Sequence, residues 1–189
     1  MKNLFVLFLS VIIIQSVSAQ DEKSGDRVFK KFKVDMSFGY ATPQTTSDVN
    51  GTKAGVLFAI EPKYAILDQL SVGIRMEAAV MANVDINGET GDAQANASYI
   101  LTGDYYFTNK KFRPFAGLGA GMYTTASVDE NTVINDPNDI PTSSKFGFMA
   151  RLGFEYGHLR IGGEYNFVAD KAGYLGLKLG VCFGGGRKK

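Results

Sequence analysis

From residue 32 onward the chain alternates apolar and polar positions in segment after segment, the period of two produced by a strand with unlike faces. In the first segment Phe32, Val34, Met36, Phe38 and Tyr40 share one face, and Lys33, Asp35, Ser37 and Gly39 share the other. The pattern recurs with the apolar row on the even positions of 56–64, 70–80, 112–122 and 146–156. It falls on the odd positions of 99–107, 159–167 and 175–183. No position in these apolar rows is charged, and every charge inside a segment falls on the opposite face. A charge on a lipid-facing row would cost about 2–4 kcal/mol at the bilayer midplane, so such sorting is what a membrane wall demands.

The connections carry a second signal. Residues 66–69, 108–111 and 157–158 form short turns, whereas 41–54, 82–94 and 125–144 are long and polar, with a shorter stretch at 168–173 before the last segment. Strict alternation of short and long connections predicts an all-β, eight-stranded antiparallel up-and-down transmembrane β-barrel over residues 32–183, short turns inside and long loops outside. With an even strand count both chain ends lie on the periplasmic side.

A soluble lipocalin-like barrel also alternates, but with its apolar face inward. Three features separate the two. The polar face carries Gly117, Gly119 and Gly121, small residues that a narrow lumen needs and a solvent face does not. The apolar face is rich in Phe, Tyr, Leu and Met, too bulky to leave a ligand cavity if packed inward. Aromatics gather at segment ends, at Phe32, Tyr40, Tyr64, Phe107, Phe112, Tyr156 and Phe183, as interfacial girdles require.

The N-terminus explains how such a chain reaches a membrane. Lys2 precedes an apolar run over 4–14, and Val17-Ser18-Ala19 supplies a cleavage site before Gln20. The run falls short of the roughly 20 residues a helix needs to span a bilayer. The expected division is a signal peptide over 1–19, a periplasmic lead-in over 20–31, the barrel over 32–183 and a basic tail over 184–189. Composition agrees: 22 Gly, 14 Phe and 9 Tyr favour short strands and turns. A net charge of +1 gives no field for nucleic acid. Cys182 is the only cysteine, so no internal disulfide holds the exported fold.

The polar face supplies the candidate chemistry. Lys33, Arg75, Arg113, Lys145, Arg151, Arg160 and Lys178 stand against Asp35, Glu61, Glu77, Asp104, Glu155 and Glu164. A barrel of about eight strands is just wide enough inside for side chains to fill it, and buried charges persist only when paired. The expected lumen network is therefore Asp35, Glu61, Arg75, Glu77, Asp104, Arg113, Arg151, Glu155, Arg160, Glu164 and Lys178, near balance in sign and structural in role. His158, the only histidine, falls in a periplasmic turn with no partner placed to orient it, which argues against an enzyme. Cys182 reads as a small filler on the polar face; no metal site and no cofactor are expected. Asp48, Asp85, Glu89, Asp92, Asp129, Glu130, Asp136, Asp139 and Asp170 make the outer loops acidic, without calcium-loop spacing. Lys30, Lys31, Lys110, Lys111, Arg187, Lys188 and Lys189 make the periplasmic rim basic, suited to inner-leaflet phosphates or to simple solvation.

Several stretches resemble the outer-membrane β-barrel domain family of Bacteroidetes type, often labelled porin-family proteins. They are Glu61-Pro62-Lys63-Tyr64, Leu70-Ser71-Val72-Gly73-Ile74-Arg75, Thr102-Gly103-Asp104-Tyr105-Tyr106-Phe107, Arg113-Pro114-Phe115-Ala116-Gly117-Leu118-Gly119-Ala120-Gly121 and Leu175-Gly176-Leu177-Lys178-Leu179-Gly180. The resemblance implies a barrel in the outer membrane of a Gram-negative cell envelope and brings no catalytic or ligand residues with it. Its implied partners are outer-membrane lipids and, during biogenesis, periplasmic chaperones and the barrel insertion machinery, which reads a terminal aromatic such as Phe183. Function is expected to be structural or surface-interacting with a mostly plugged lumen. A narrow, weakly selective channel is the alternative, and a soluble lipocalin-like binder the third. Purified from the outer-membrane fraction, the mature chain should begin at Gln20 and migrate differently on a denaturing gel unboiled and boiled. A soluble periplasmic product without that shift would turn the barrel inside out.

Overall fold

A computed structural model describes residues 27–43, 54–84, 90–128, 142–169 and 172–188. The apolar N-terminal run, its cleavage site and Lys189 lie outside these residues, as do the acidic loop positions except Asp92. Asp92 falls in a strand rather than in a loop.

Each alternating segment forms a strand. They are β1 (Phe32–Pro43), β2 (Ala54–Ala65), β3 (Leu70–Val84), β4 (Thr90–Tyr106), β5 (Phe112–Val128), β6 (Thr142–Tyr156), β7 (Leu159–Val168) and β8 (Tyr174–Gly184). Each pairs antiparallel with its chain neighbour, and β1 closes on β8 from Lys33↔Gly184 to Pro43↔Tyr174. The closed ring leaves no open edge, so every strand finds backbone partners on both sides. β3, β4, β5 and β6 run further toward the long connections than the alternation indicated.

The outward row is the apolar one. Leu101, Leu118 and Leu152 are about two-thirds or more exposed at 66%, 67% and 71%, whereas Arg75, on the inward row, is fully buried. Phe32, Tyr64, Phe107, Phe112, Tyr156 and Phe183 ring the short-turn end. Tyr40, Phe146, Phe148 and Phe167 ring the other, with Phe146 and Phe148 packed edge to face at 5.2 Å. The two girdles bracket a band of Leu, Ile, Val and Met, the profile of a wall facing lipid between two polar interfaces.

The chain ends do more than lead in and trail off. Gly184 and Gly185, at φ of 80° and 62°, turn the tail back across the short-turn mouth, a left-handed backbone that glycine adopts without strain. There Phe29 bridges Arg187, Lys30 N donates to Gly186 O at 3.0 Å, and Lys188 N donates to Val28 O at 2.8 Å. Asp68, in the β2–β3 turn, anchors this cap by accepting from Val28 N at 2.9 Å and Phe29 N at 3.2 Å. The described part of the lead-in, residues 27–31, thus pairs with the tail across the short-turn mouth.

The two faces are not interchangeable. Leu118→Arg, midway along the outward row of β5, should destabilise the barrel in lipid vesicles by about 2–4 kcal/mol in urea unfolding. Leu118→Phe should change it by less than about 1 kcal/mol, as a hydrophobic swap facing a fluid solvent.

Candidate functional site

The lumen gathers polar side chains from all around the ring, because alternation sends every second residue inward. Its charges fall into two groups. The lower group, toward the short-turn end, is drawn from β1, β2, β4, β5, β6 and β7. Asp104 is its hub, accepting from Lys63 Nζ at 2.6 Å, Arg151 Nε at 2.7 Å and Arg160 Nη2 at 2.8 Å. Arg151 also donates a fork to Glu61, Nη1 to Oε2 at 2.8 Å and Nη2 to Oε1 at 2.6 Å, and Thr102 Oγ1 donates to the same carboxylate at 2.5 Å. Glu155 accepts from Arg160 Nη1 at 2.5 Å, from Tyr106 Oη at 2.7 Å and from Lys33. Asp35 lies 2.7 Å from Lys63 Nζ and 3.5 Å from Arg160 Nη1.

Space for this hub comes from Gly117, beside Asp104 on β5. A Cβ there would fall 2.1 Å from Asp104 Oδ1 and 3.0 Å from Arg151 Nε, overlapping both partners. Arg113 closes the group from below. Its guanidinium lies 4.0 Å from the ring centroids of both Phe29 and Tyr106, and Nη2 donates to Asp68 O at 2.6 Å. Stacking on both faces leaves only the edges of the guanidinium to hydrogen-bond.

The upper group comes from β3, β7 and β8. Arg75 donates a fork to Glu164 and pairs with Glu77. Lys178 pairs with Glu164 and lies 3.5 Å from Glu77. Two cations thus meet two carboxylates. Tyr174 Oη donates to Glu77 at 2.5 Å, and Tyr123 Oη donates to Asn166 Oδ1 at 2.8 Å. Toward the long-loop end the lumen turns apolar. Ala41, Leu57, Ala79, Met81, Ile100 and Met149 pack with the rings of Tyr123 and Tyr174, each 1% exposed or less. This apolar collar keeps water from the ion pairs beneath it, and a low local dielectric strengthens them.

Among the described residues, the voids within and just below the two ion-pair groups are small. One void of about 20 Å³ lies among Asp35, Glu61, Arg151, Arg160, Glu164 and Lys178, and one of about 10 Å³ lies between Phe29, Ser71 and Arg113. Each is near the size that holds a single water.

All eleven residues singled out from the sequence point into the lumen, in two sets. Asp35, Glu61, Asp104, Arg113, Arg151, Glu155 and Arg160 belong to the lower set, and Arg75, Glu77, Glu164 and Lys178 to the upper. Lys145 lies higher on β6, opposite Tyr123. The sequence reading omitted Lys63, which touches Asp35 and Asp104, and gave Tyr106 and Thr102 no role, although all three lie on the polar row. It also missed the apolar collar, whose Leu57, Met81, Ile100 and Met149 sit on that row too. His158 Nδ1 lies 2.8 Å from Cys182 O, fastening the β6–β7 turn to β8. Cys182 is buried with Asp35 and Glu155, their ligand atoms within 4.8 Å of one another. Those carboxylates already face Lys33, Lys63 and Arg160, so a divalent cation would have to displace ammonium and guanidinium groups to enter.

A family model described as outer membrane protein beta-barrel domain matches residues 5–185. No curated protein matches the chain. Among solved structures, Neisserial surface protein A (NspA) superimposes with a TM-score of 0.62 at 17% identity, covering 82% of this chain and 98% of that one. The outer membrane protein OprG from Pseudomonas aeruginosa gives 0.50 at 14% identity, covering 84% of this chain and 98% of that one. At such identities the likeness concerns the fold alone.

Removing one partner from a buried ion network leaves the others uncompensated. Arg151→Met should cost about 3–5 kcal/mol in urea unfolding from vesicles, and adding Glu61→Gln to it should restore part of that loss. Equal stability of the single variant and the native chain would show that the lower group is hydrated rather than packed.

Proposed function

The chain belongs to the outer membrane protein beta-barrel domain family, and on that footing we propose that it is a non-catalytic structural or surface-interacting barrel whose lumen is closed. The observation that carries this reading is the filling of the lumen: two interlocked ion-pair groups, an apolar collar on one side and the Phe29 cap on the other. A channel needs a continuous wet path, and a selective one needs a ring of a single sign. Here the upper group balances two cations against two carboxylates, and the lower group's carboxylates are each held by more than one cation. With the charges of both groups committed to one another, the wall is stiff and the interior conducts nothing larger than an occasional water.

In this reading the long connections face the exterior and present the acidic positions there, while the short turns, the cap and both chain ends face the periplasm. The chain is exported with cleavage after Ala19, and the outward rows contact outer-membrane lipid. Periplasmic chaperones carry the unfolded chain to the insertion machinery, for which Phe183, exposed on the outward row of β8, serves as the terminal aromatic. Surface interaction is then the work of the long connections.

Planar-bilayer recording decides between this and the channel reading. Pure protein whose folding has been verified by gel mobility should add no discrete conductance steps to the bilayer. Reproducible steps of one size from independent preparations would overturn the closed lumen.

A further inference from the structure

Between the cap and the lower ion-pair group lies a cavity of about 320 Å³, many times larger than the voids in the lumen above it. That volume is at the lower end of the range of ligand pockets, about 300–1,000 Å³. Its rim residues Lys111, Gly157, His158 and Arg187 are exposed, so it opens at the short-turn mouth. Four cations line it, Lys33, Lys111, Arg113 and Arg187, against Glu155 as the only carboxylate among the described residues that do so.

Glu155 has no charge to spare, since Lys33, Arg160 and Tyr106 already hold it. Among the described residues Lys111 and Arg187 pair with no carboxylate; the Lys111 ammonium rests 4.8 Å over the Tyr156 ring. Arg113 reaches Glu155 only at 3.9 Å, and its buried Nε finds no acceptor among the described residues. Positive charge held around a partly enclosed space, with donor edges unfilled, is relieved by an anion with several acceptor oxygens.

The geometry points to an anion site at this mouth that takes a phosphate group, carried either by a lipid headgroup or by a small soluble phosphate. A lipid would enter past Tyr156, half exposed on the outward girdle beside Lys111, and a soluble phosphate from the periplasm. Arg113 supplies the directional donor, locked in place by the two rings that sandwich it, and Lys111 and Arg187 supply mobile charge at the entrance. The site lies below the closed lumen and needs no opening of it.

The test uses the full folded chain in a neutral detergent, titrated by calorimetry with inorganic phosphate and, separately, with short-chain dihexanoyl-phosphatidylglycerol. Lys111→Gln/Arg187→Gln removes the two exposed rim charges, with gel mobility confirming that the barrel has folded. Lys110→Gln/Lys188→Gln, both exposed and outside the cavity, controls for the loss of two positive charges. Saturable binding of at least one probe is expected, weakened about ten-fold or more in the double variant and unchanged in the control. Phosphate binding alone would identify a soluble ligand, and binding of the lipid alone a headgroup. Absence of saturable binding to both probes, or equal weakening by Lys110→Gln/Lys188→Gln, would overturn the site.

Discussion

A strand that faces hydrocarbon has no water to satisfy its N–H and C=O groups, so the pairing of β1 with β8 governs the rest of this molecule. Once that seam closes, the outward row is committed to lipid and the inward row to a space of fixed width. With eight strands the width matches opposed side chains and little else. The apolar band, the girdles and the crowding of the lumen all descend from this closure.

Crowding then dictates how the inward charges behave. A carboxylate or guanidinium in so narrow a space loses most of its water, a cost of several kcal/mol per ion that only close partners offset. Asp104 shows the solution: three cations converge on one carboxylate, made possible by the missing side chain at Gly117. Tyr106 and Thr102 fill hydrogen-bonding positions that charge alone would leave open. Such a network constrains strand register, since sliding one strand by a residue would turn its partners out toward lipid.

The two ends of the barrel differ in kind. At the long-loop end the lumen is sealed by apolar packing, which holds nothing in particular. At the short-turn end it is sealed by a polar cap built from both chain ends, and the cap leaves cationic groups facing a cavity. A filled lumen and the proposed anion site are thus compatible in one small wall, because they occupy different heights.

Much of this architecture was legible in the residues themselves. Period-two alternation located all eight strands, and the segregation of charge marked which row faced lipid, because a strand's two faces are a local property of its backbone. The same logic put Asp35, Glu61, Asp104 and Glu164 on the inner face. Which cation each would meet was not legible: Asp104 reaches Lys63 across 41 residues and Arg160 across 56, distances in sequence that only strand tilt and ring closure bring together. The division into two ion-pair groups and an apolar collar depends on height along the barrel axis, which alternation does not encode. The cap escaped notice for a like reason, since residues 27–31 and 184–188 carry no periodic pattern and acquire a structure only when closure sets the two chain ends side by side. Local chemistry chose the face of each side chain, and the closed ring chose its partner.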